Sequence, residues 1–356
     1  MVRSFLRRGS GLPNRPGPRR FLPRLPARLL PAVLLPGLLL TGLLALPATA
    51  GAETARTGAP QVVASVKPLH SLTAAVMAGV GEPHLLVRGA ASPHAFALKP
   101  SDARALDRAD LIVWVGPGLE AFLEKPVQAL GGKARSLPLL EAPGVRTLPG
   151  RAGGAWEDGH DHDHDHDHDH DHDHDHDHDG HGTDGLPDGH IWLDPRNAQA
   201  IVAHVADALT ALDPANAATY RANAERTRAA LAELDREVAA RLAPVRGRPF
   251  VVFHDAYHYL EDRYGLAAAG AITVTPELRP SASRLRELRA RIRELGAACV
   301  FAEPQFEPAL VRTVAEGTGA RTGVLDPEGA SLPDGPDLYF ALLRFNADAL
   351  AGCLGG

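Results

Sequence analysis

Leu111-Ile112-Val113-Trp114-Val115 is apolar at all five positions, with Asp110 before it and Gly116 after it. A strand with one face in water alternates apolar and polar residues. A strand covered on both faces has no such need, and unbroken runs of this kind mark the inner strands of parallel sheets. The flanking sequence keeps the matching rhythm. Residues 61–66 and 82–87 read as further strands, and Lys67-Pro68 opens a helix with apolar residues at Leu69, Leu72 and Val76. Pro100-Ser101-Asp102 starts another helix, and 118–130 is helical again. Strand and helix alternate, which predicts an α/β fold with a parallel sheet under helices.

The alternation then pauses and resumes. Residues 197–212 form a helix, and Asp213-Pro214 offers an N-cap with proline at the first helical position. From there Tyr220, Ala224, Thr227, Leu231, Leu234, Val238 and Leu242 recur at three-four spacing until Pro244. A helix of about thirty residues spans roughly 45 Å, so 213–244 is expected to be a stiff bridge between two lobes. The second lobe repeats the pattern, with strands at 249–253, 267–274, 298–302 and 322–325 and helices at 255–264, 281–295, 308–316 and 338–354. The expected organisation is a first α/β lobe over 61–212, the linker helix, and a second α/β lobe over 245–356.

The first fifty residues stand apart from this fold. Eight arginines and no acidic residue precede an apolar run at 29–46 that Pro31 and Pro36 interrupt, and Ala48-Thr49-Ala50 follows. That is the layout of a secretory signal peptide cleaved near 50–52, with a short join at 51–60 after it. No cysteine follows the apolar run, so a lipoprotein anchor is excluded, and Arg19-Arg20 is a weak twin-arginine hint. Losing eight arginines takes the net charge from -6 to about -14. No basic stripe remains, which argues against nucleic acid as a partner. The two cysteines, Cys299 and Cys353, most simply form one disulfide in an oxidising compartment.

The excess acidity belongs to one tract. From His160-Asp161 to His178-Asp179 the chain alternates His and Asp without interruption, adding ten aspartates, and His181 follows. Nothing in it can build a core, so 157–185 is expected to be a solvated loop. Its chemistry is specific nonetheless. Imidazole and carboxylate are ligands of borderline divalent metals, so His160, His162, His164, His166, His168, His170, His172, His174, His176, His178 and His181 offer many weak, interchangeable sites.

A stronger set stands at the predicted strand ends, where open α/β sheets gather ligands. His94 lies in the loop after the second strand, and His190 opens Gly189-His190-Ile191-Trp192-Leu193-Asp194-Pro195. His254 follows Phe250-Val251-Val252-Phe253, and Asp326 follows Val324-Leu325. Three imidazoles and one carboxylate, two from each lobe, suit Zn²⁺ in a cleft. His70, His84 and His204 lie in or beside regular elements without clustered partners, and His258 ranks below Asp326.

Taken in order, these segments resemble a known family. Ser65-Val66-Lys67-Pro68-Leu69, Pro93-His94, Lys99-Pro100-Ser101-Asp102, the 109–116 segment, His190-Ile191-Trp192-Leu193-Asp194-Pro195, Phe253-His254-Asp255-Ala256-Tyr257, Phe301-Ala302-Glu303-Pro304-Gln305-Phe306 and Leu325-Asp326-Pro327 are similar to the zinc-specific, ZnuA-type solute-binding proteins of metal ABC transporters. The resemblance runs from residue 61 to the C-terminus. It implies two lobes joined by one long helix, a metal in the cleft, and delivery to a membrane permease, with an auxiliary periplasmic zinc chaperone as a further candidate partner and a monomeric state. It also implies that His94, His190 and His254 are the metal-binding histidines and that Cys299 and Cys353 are the paired cysteines. Manganese members usually carry a carboxylate at the position of His254, so histidine there favours zinc. Some zinc members carry an acidic residue just before the first histidine, where this chain has Pro93. The fourth ligand therefore stands open between Asp326, a water and a histidine of the tract.

The expected function is periplasmic zinc capture for an ABC importer, with no enzymatic activity. Two rivals use the same residues differently. A secreted zinc hydrolase would need a carboxylate base; the chain has no H-E-x-x-H, and Glu303 is its one candidate. A storage or adhesion protein would hold many equivalent metals.

Overall fold

A computed structural model describes residues 58–151 apart from 131, and residues 186–356 apart from 274, 275, 277 and 278. The leader at 1–50, positions 51–57 of the join and the Asp/His loop at 157–185 lie outside the described residues.

Two four-stranded sheets carry the architecture. The first holds β1 (Val62–Ala64), β2 (His84–Leu85), β3 (Leu111–Trp114) and β4 (Arg135–Pro138) in the order β2-β1-β3-β4. The second holds β5 (Pro249–His254), β6 (Ala267–Thr273), β7 (Cys299–Ala302) and β8 (Arg321–Val324) in the order β6-β5-β7-β8. Every pairing is parallel. The helices are α1 (Lys67–Met77), α2 (Pro100–Arg108), α3 (Ala121–Ala129), α4 (Pro195–Leu212), α5 (Ala217–Leu242), α6 (His258–Tyr264), α7 (Ala282–Leu295), α8 (Ala309–Ala315) and α9 (Leu338–Gly355). Each sheet winds outward in both directions from its middle pair, β1/β3 and β5/β7. Those two places are where an α/β sheet leaves a crevice at its carboxyl edge.

The unbroken apolar run is explained by what covers it. Leu111 and Val113 face one core, while Ile112 and Trp114 face another with Leu106 of α2 and Leu123 of α3. The second sheet repeats the arrangement. Phe250, Val252, Cys299 and Phe301 point to the first core. Val251, Phe253, Val300 and Ala302 point to Leu288 and Ile292 of α7 and Val311 and Val314 of α8. The first core is continuous through both sheets and includes Leu69, Ile201, Leu231 and Tyr339 from α1, α4, α5 and α9. Its inner faces are thus joined by packed helices rather than by a flexible link.

The long helix is shorter than the sequence predicts. Pro214–Asn216 forms a 3-10 turn before α5, and Ala243–Val245, with Pro244, forms another after it. That leaves 26 residues, about 39 Å of helix. Asp213 anchors the first turn by accepting from the Asn216 amide at 2.7 Å and the Tyr220 hydroxyl at 2.9 Å. All seven residues expected on the inner face are buried, and Asn223 joins them. Its amide donates to the carbonyls of Val76 and Ala78 at 2.8 Å each, satisfying groups that the end of α1 would leave bare.

Two further differences have local causes. Strand β4 escapes the pattern because only Leu137 is buried in Arg135–Pro138, too little for an apolar signal. Helix α6 starts three residues late because the chain turns after His254, with the Ala256 N–H donating to the His254 carbonyl at 2.9 Å. Cys299 and Cys353 form a disulfide that ties β7 to α9. No helix among the described residues is long and apolar enough to cross a membrane.

Candidate metal centre

Three histidines from three unrelated segments meet between the sheets, each aimed by a different local device. His94 sits in the 3-10 turn Pro93–Ala95, where Ser92 Oγ accepts from the His94 N–H at 3.3 Å. His190 stands just before the 3-10 turn Ile191–Leu193, and Asp188 Oδ1 accepts its backbone N–H at 2.9 Å. His254 is the last residue of β5, at the carboxyl edge beside β7. One ligand nitrogen from each lies within 4.8 Å of the other two. His190 Nε2 and His254 Nε2 are 3.4 Å apart. Two nitrogens bound tetrahedrally to zinc at about 2.0–2.1 Å lie about 3.3–3.4 Å from each other, so that edge is already at coordination length. His94 Nε2 is buried with no hydrogen-bond partner. A buried polar atom without a partner is costly unless something else fills its valence, and a cation would do so.

Carboxylates stand behind two of the rings. His190 Nδ1 is 2.7 Å from Asp188 Oδ1, and His254 Nδ1 is 2.8 and 2.7 Å from the two oxygens of Glu303. When Nε2 is committed to a metal, Nδ1 carries the proton and the carboxylate accepts it, which fixes the tautomer and makes Nε2 a better donor. In that tautomer two Nε2 lone pairs converge at 3.4 Å, an arrangement that favours a cation or a shared proton between them.

Burial and charge set the proton affinities. Burial drives the His94 imidazole well below its usual range, reinforced by the two neighbouring histidines, so it is neutral and open to a metal. Burial also pushes His190 down, but the Asp188 carboxylate, with Asp255 and Glu303 beyond it, outweighs burial and leaves that ring above the usual value. Glu303 is lifted well above the usual carboxylate range by burial, against the opposing His254 N–H and the His190 ring. Asp255, next in the chain to His254, is pushed up to about 7, mainly by burial.

Asp326, expected as a fourth ligand, stands outside this group. Its Oδ1 accepts from the N–H groups of Glu328, Gly329 and Ala330 at 3.2, 2.7 and 3.0 Å, and its Oδ2 takes the N–H and hydroxyl of Ser331 at 3.2 Å. The carboxylate locks its own loop, and both oxygens are used. His258 is likewise absent from the cluster. The accessory histidines His160 to His181 lie outside the described residues. Glu303, the candidate catalytic base, faces Nδ1 of His254 rather than its metal-facing side.

A pocket of about 100 Å³ opens beside two of the histidines, lined by His94, Arg151, Asp188, His190 and Asp255 among others. A larger cavity of about 700 Å³, lined by His70, Glu82 and Asp334 among others, has no converging ligand set among the described residues. His70 Nε2 there is engaged at 3.0 Å with the Pro83 carbonyl.

The sequence did not single out Asp188 or assign Glu303 its partner. Asp188-Gly189-His190 carries a local signal, since an aspartate two residues upstream can accept the histidine's N–H in an Asx turn. Gly189 is required there: a Cβ would meet Leu119 Cβ at 2.9 Å. Glu303 carries only its place after β7. A Glu303→Gln variant is expected to bind zinc about 10–100-fold more weakly with the fold intact, as measured by competition with a chelating dye. Unchanged affinity would remove Glu303 from the orienting role.

Comparison with known proteins agrees with this geometry. The family model described as "Zinc-uptake complex component A periplasmic" matches residues 62–353. A high-affinity zinc uptake system protein ZnuA of Brucella abortus is 52% identical over 305 residues, which is 82% of this chain and 91% of that protein. Among solved structures, a crystal structure of ZnuA superposes with a TM-score of 0.67 at 24% identity, covering 83% of this chain and 99% of that one. The laminin-binding protein of Streptococcus agalactiae, described as bifunctional with adhesin and metal-transporting activity, gives 0.65 at 26% identity, covering 83% and 99%. With the family model spanning nearly all the described chain and a relative 52% identical over 305 aligned residues, this protein belongs to the periplasmic zinc-uptake complex component A family.

Proposed function

We propose that this protein is exported, sheds its leader near residues 50–52, and acts as a periplasmic monomer that captures Zn²⁺ and hands it to a membrane ABC permease. Zn²⁺ is the cargo, held through Nε2 of His94, His190 and His254 in the cleft between the lobes at 61–212 and 245–356. The observation that carries this reading is the convergence of three imidazoles, two of them backed by carboxylates on the far nitrogen. Carboxylates behind metal-facing imidazoles are what a metal site needs and what an ordinary buried histidine does not. A water or a histidine from 160–181 completes the coordination, since Asp326 is otherwise engaged. The tract gathers zinc at sites weaker than the cleft, and an auxiliary zinc chaperone is a second partner. In a zinc-starved strain lacking its own capture protein, the full chain should restore growth and the His190→Ala variant should not. Equal rescue by both would overturn the reading.

Affinity should depend on pH in a definite direction. Protons and Zn²⁺ compete for the same lone pairs, and His190 holds its proton above the usual imidazole range. Binding is therefore full above that raised value and is lost as pH falls through it, by up to about tenfold per unit for each proton displaced. Calorimetric titrations between pH 5 and 8 would show this. Affinity that stayed flat over that range would contradict displacement of an imidazole proton.

A further inference from the structure

The chain on either side of the Asp/His tract closes into a strap. Pro149 and Pro187 form an antiparallel bridge, Gly150 donates to the Leu186 carbonyl at 2.9 Å, and Asp188 donates to the Leu148 carbonyl at 2.8 Å. His190 lies at the end of this strap, two residues past Asp188. Helix α6, which follows the β5 strand that ends in His254, holds the strap at three points. Arg146 pairs with Asp262. The Tyr259 hydroxyl accepts from the Leu148 N–H at 3.0 Å and donates to the Asp188 carbonyl at 2.7 Å. Arg151 donates through Nη1 to Asp255 at 3.1 Å and to Glu261 at 3.2 Å, and through Nη2 to the other Glu261 oxygen at 3.0 Å.

These three are not equivalent. The Arg146 and Asp262 side chains are 56% and 38% exposed, so water and salt screen that pair. Arg151 is 19% exposed and its two partners 8% and 7%. A forked, charge-assisted contact in that setting is strong and directional, and breaking it strands two buried carboxylates. Arg151 and Asp255 also line the pocket that His94 and His190 border. Asp255 adjoins His254 in the chain, so one contact ties the strap bearing His190 to the strand end bearing His254.

We propose that Arg151 is a positioning residue for the metal: by fastening the strap to Asp255 and Glu261 it holds His190 against His254 and sets the rate at which bound zinc leaves. The inference rests on the zinc site described above. Arg151 ligates nothing; it keeps two ligands from parting. Release of the ion requires that edge to open, and the Arg151 contact is the buried charged link across it.

The test is stopped-flow zinc release from the full chain into excess chelator, beside thermal unfolding of the metal-free protein. R151A should release zinc about tenfold faster or more while still binding one ion in the cleft. R151K, which keeps the charge but loses the fork, should recover part of the difference, and E261Q should fall between wild type and R151A. R344A breaks an exposed pair between Arg344 and Glu237 on α9 and α5 and should leave release unchanged. Release from R151A within twofold of wild type would overturn the proposal. So would acceleration that tracks lost thermal stability alike in R151A and R344A, with no recovery in R151K. Should R151A fail to fold, wild-type release rates in both R151K and E261Q would overturn it. A wild-type chain that bound no zinc in the cleft would instead count against the metal site itself.

Discussion

Replacing His254 by alanine is expected to lower zinc affinity by roughly two to three orders of magnitude while the protein stays folded. Four-ligand structural zinc sites bind with about 10–16 kcal/mol in all, so one ligand among four carries about 2.5–4 kcal/mol. His254 supplies one end of the edge already set at 3.4 Å, and beyond His94 and His190 no other described side chain belongs to the cluster. The fold tolerates the change because Glu303, left without its imidazole, can take a proton. Burial has already lifted that carboxyl well above its usual range, so it need not stand as a bare buried charge. Competition with a chelating dye, run with circular dichroism on the same sample, separates lost binding from lost structure. Retention of affinity within about tenfold would mean that the tight site lies elsewhere.

Removing the disulfide should do the opposite, costing stability and sparing the metal site. Cys299 and Cys353 are 54 residues apart in sequence, and closing a loop of that length constrains the unfolded chain by about 4 kcal/mol on chain-entropy grounds. Cys299 starts β7, whereas Glu303 follows its other end, about 13 Å away along the strand. The double Cys299→Ser, Cys353→Ser protein should therefore unfold at markedly lower denaturant concentration, yet bind zinc within a few-fold of wild type. Equal stability of the two proteins would show that the bond adds nothing to the fold. A collapse of zinc affinity would show that the amino end of β7 is coupled to the site.

The fold was legible where one residue type dominates a whole element. The apolar run at 111–115 announces a doubly covered strand because each face meets its own core. The seven inward residues of α5 are visible at helical spacing because the helix is buried along one stripe for its full length. Strand β4 has a single buried side chain and leaves no pattern.

The same divide runs through the metal site. Singly, His94, His190 and His254 each carry a weak signal; they stand out in the sequence only as a set of imidazoles at predicted strand ends. Asp326 carries the same signal, yet the N–H groups of Glu328, Gly329, Ala330 and Ser331 claim it. Nothing in the local residue types distinguishes a strand-end carboxylate that binds metal from one that locks its own loop. Glu303 meets a histidine 49 positions away, and only the pairing of β5 with β7 brings the two together. Partners joined by tertiary structure stay hidden until the sheet order is known.

The most direct test of the account is calorimetric titration with Zn²⁺ of the mature chain and of the same chain lacking residues 157–185. One tight site is expected in both proteins, abolished in each by His190→Ala, with only weak additional binding lost alongside the tract. Tight binding that disappeared with the tract while His190→Ala left it untouched would contradict the cleft site and place the protein's zinc chemistry in the alternating histidines.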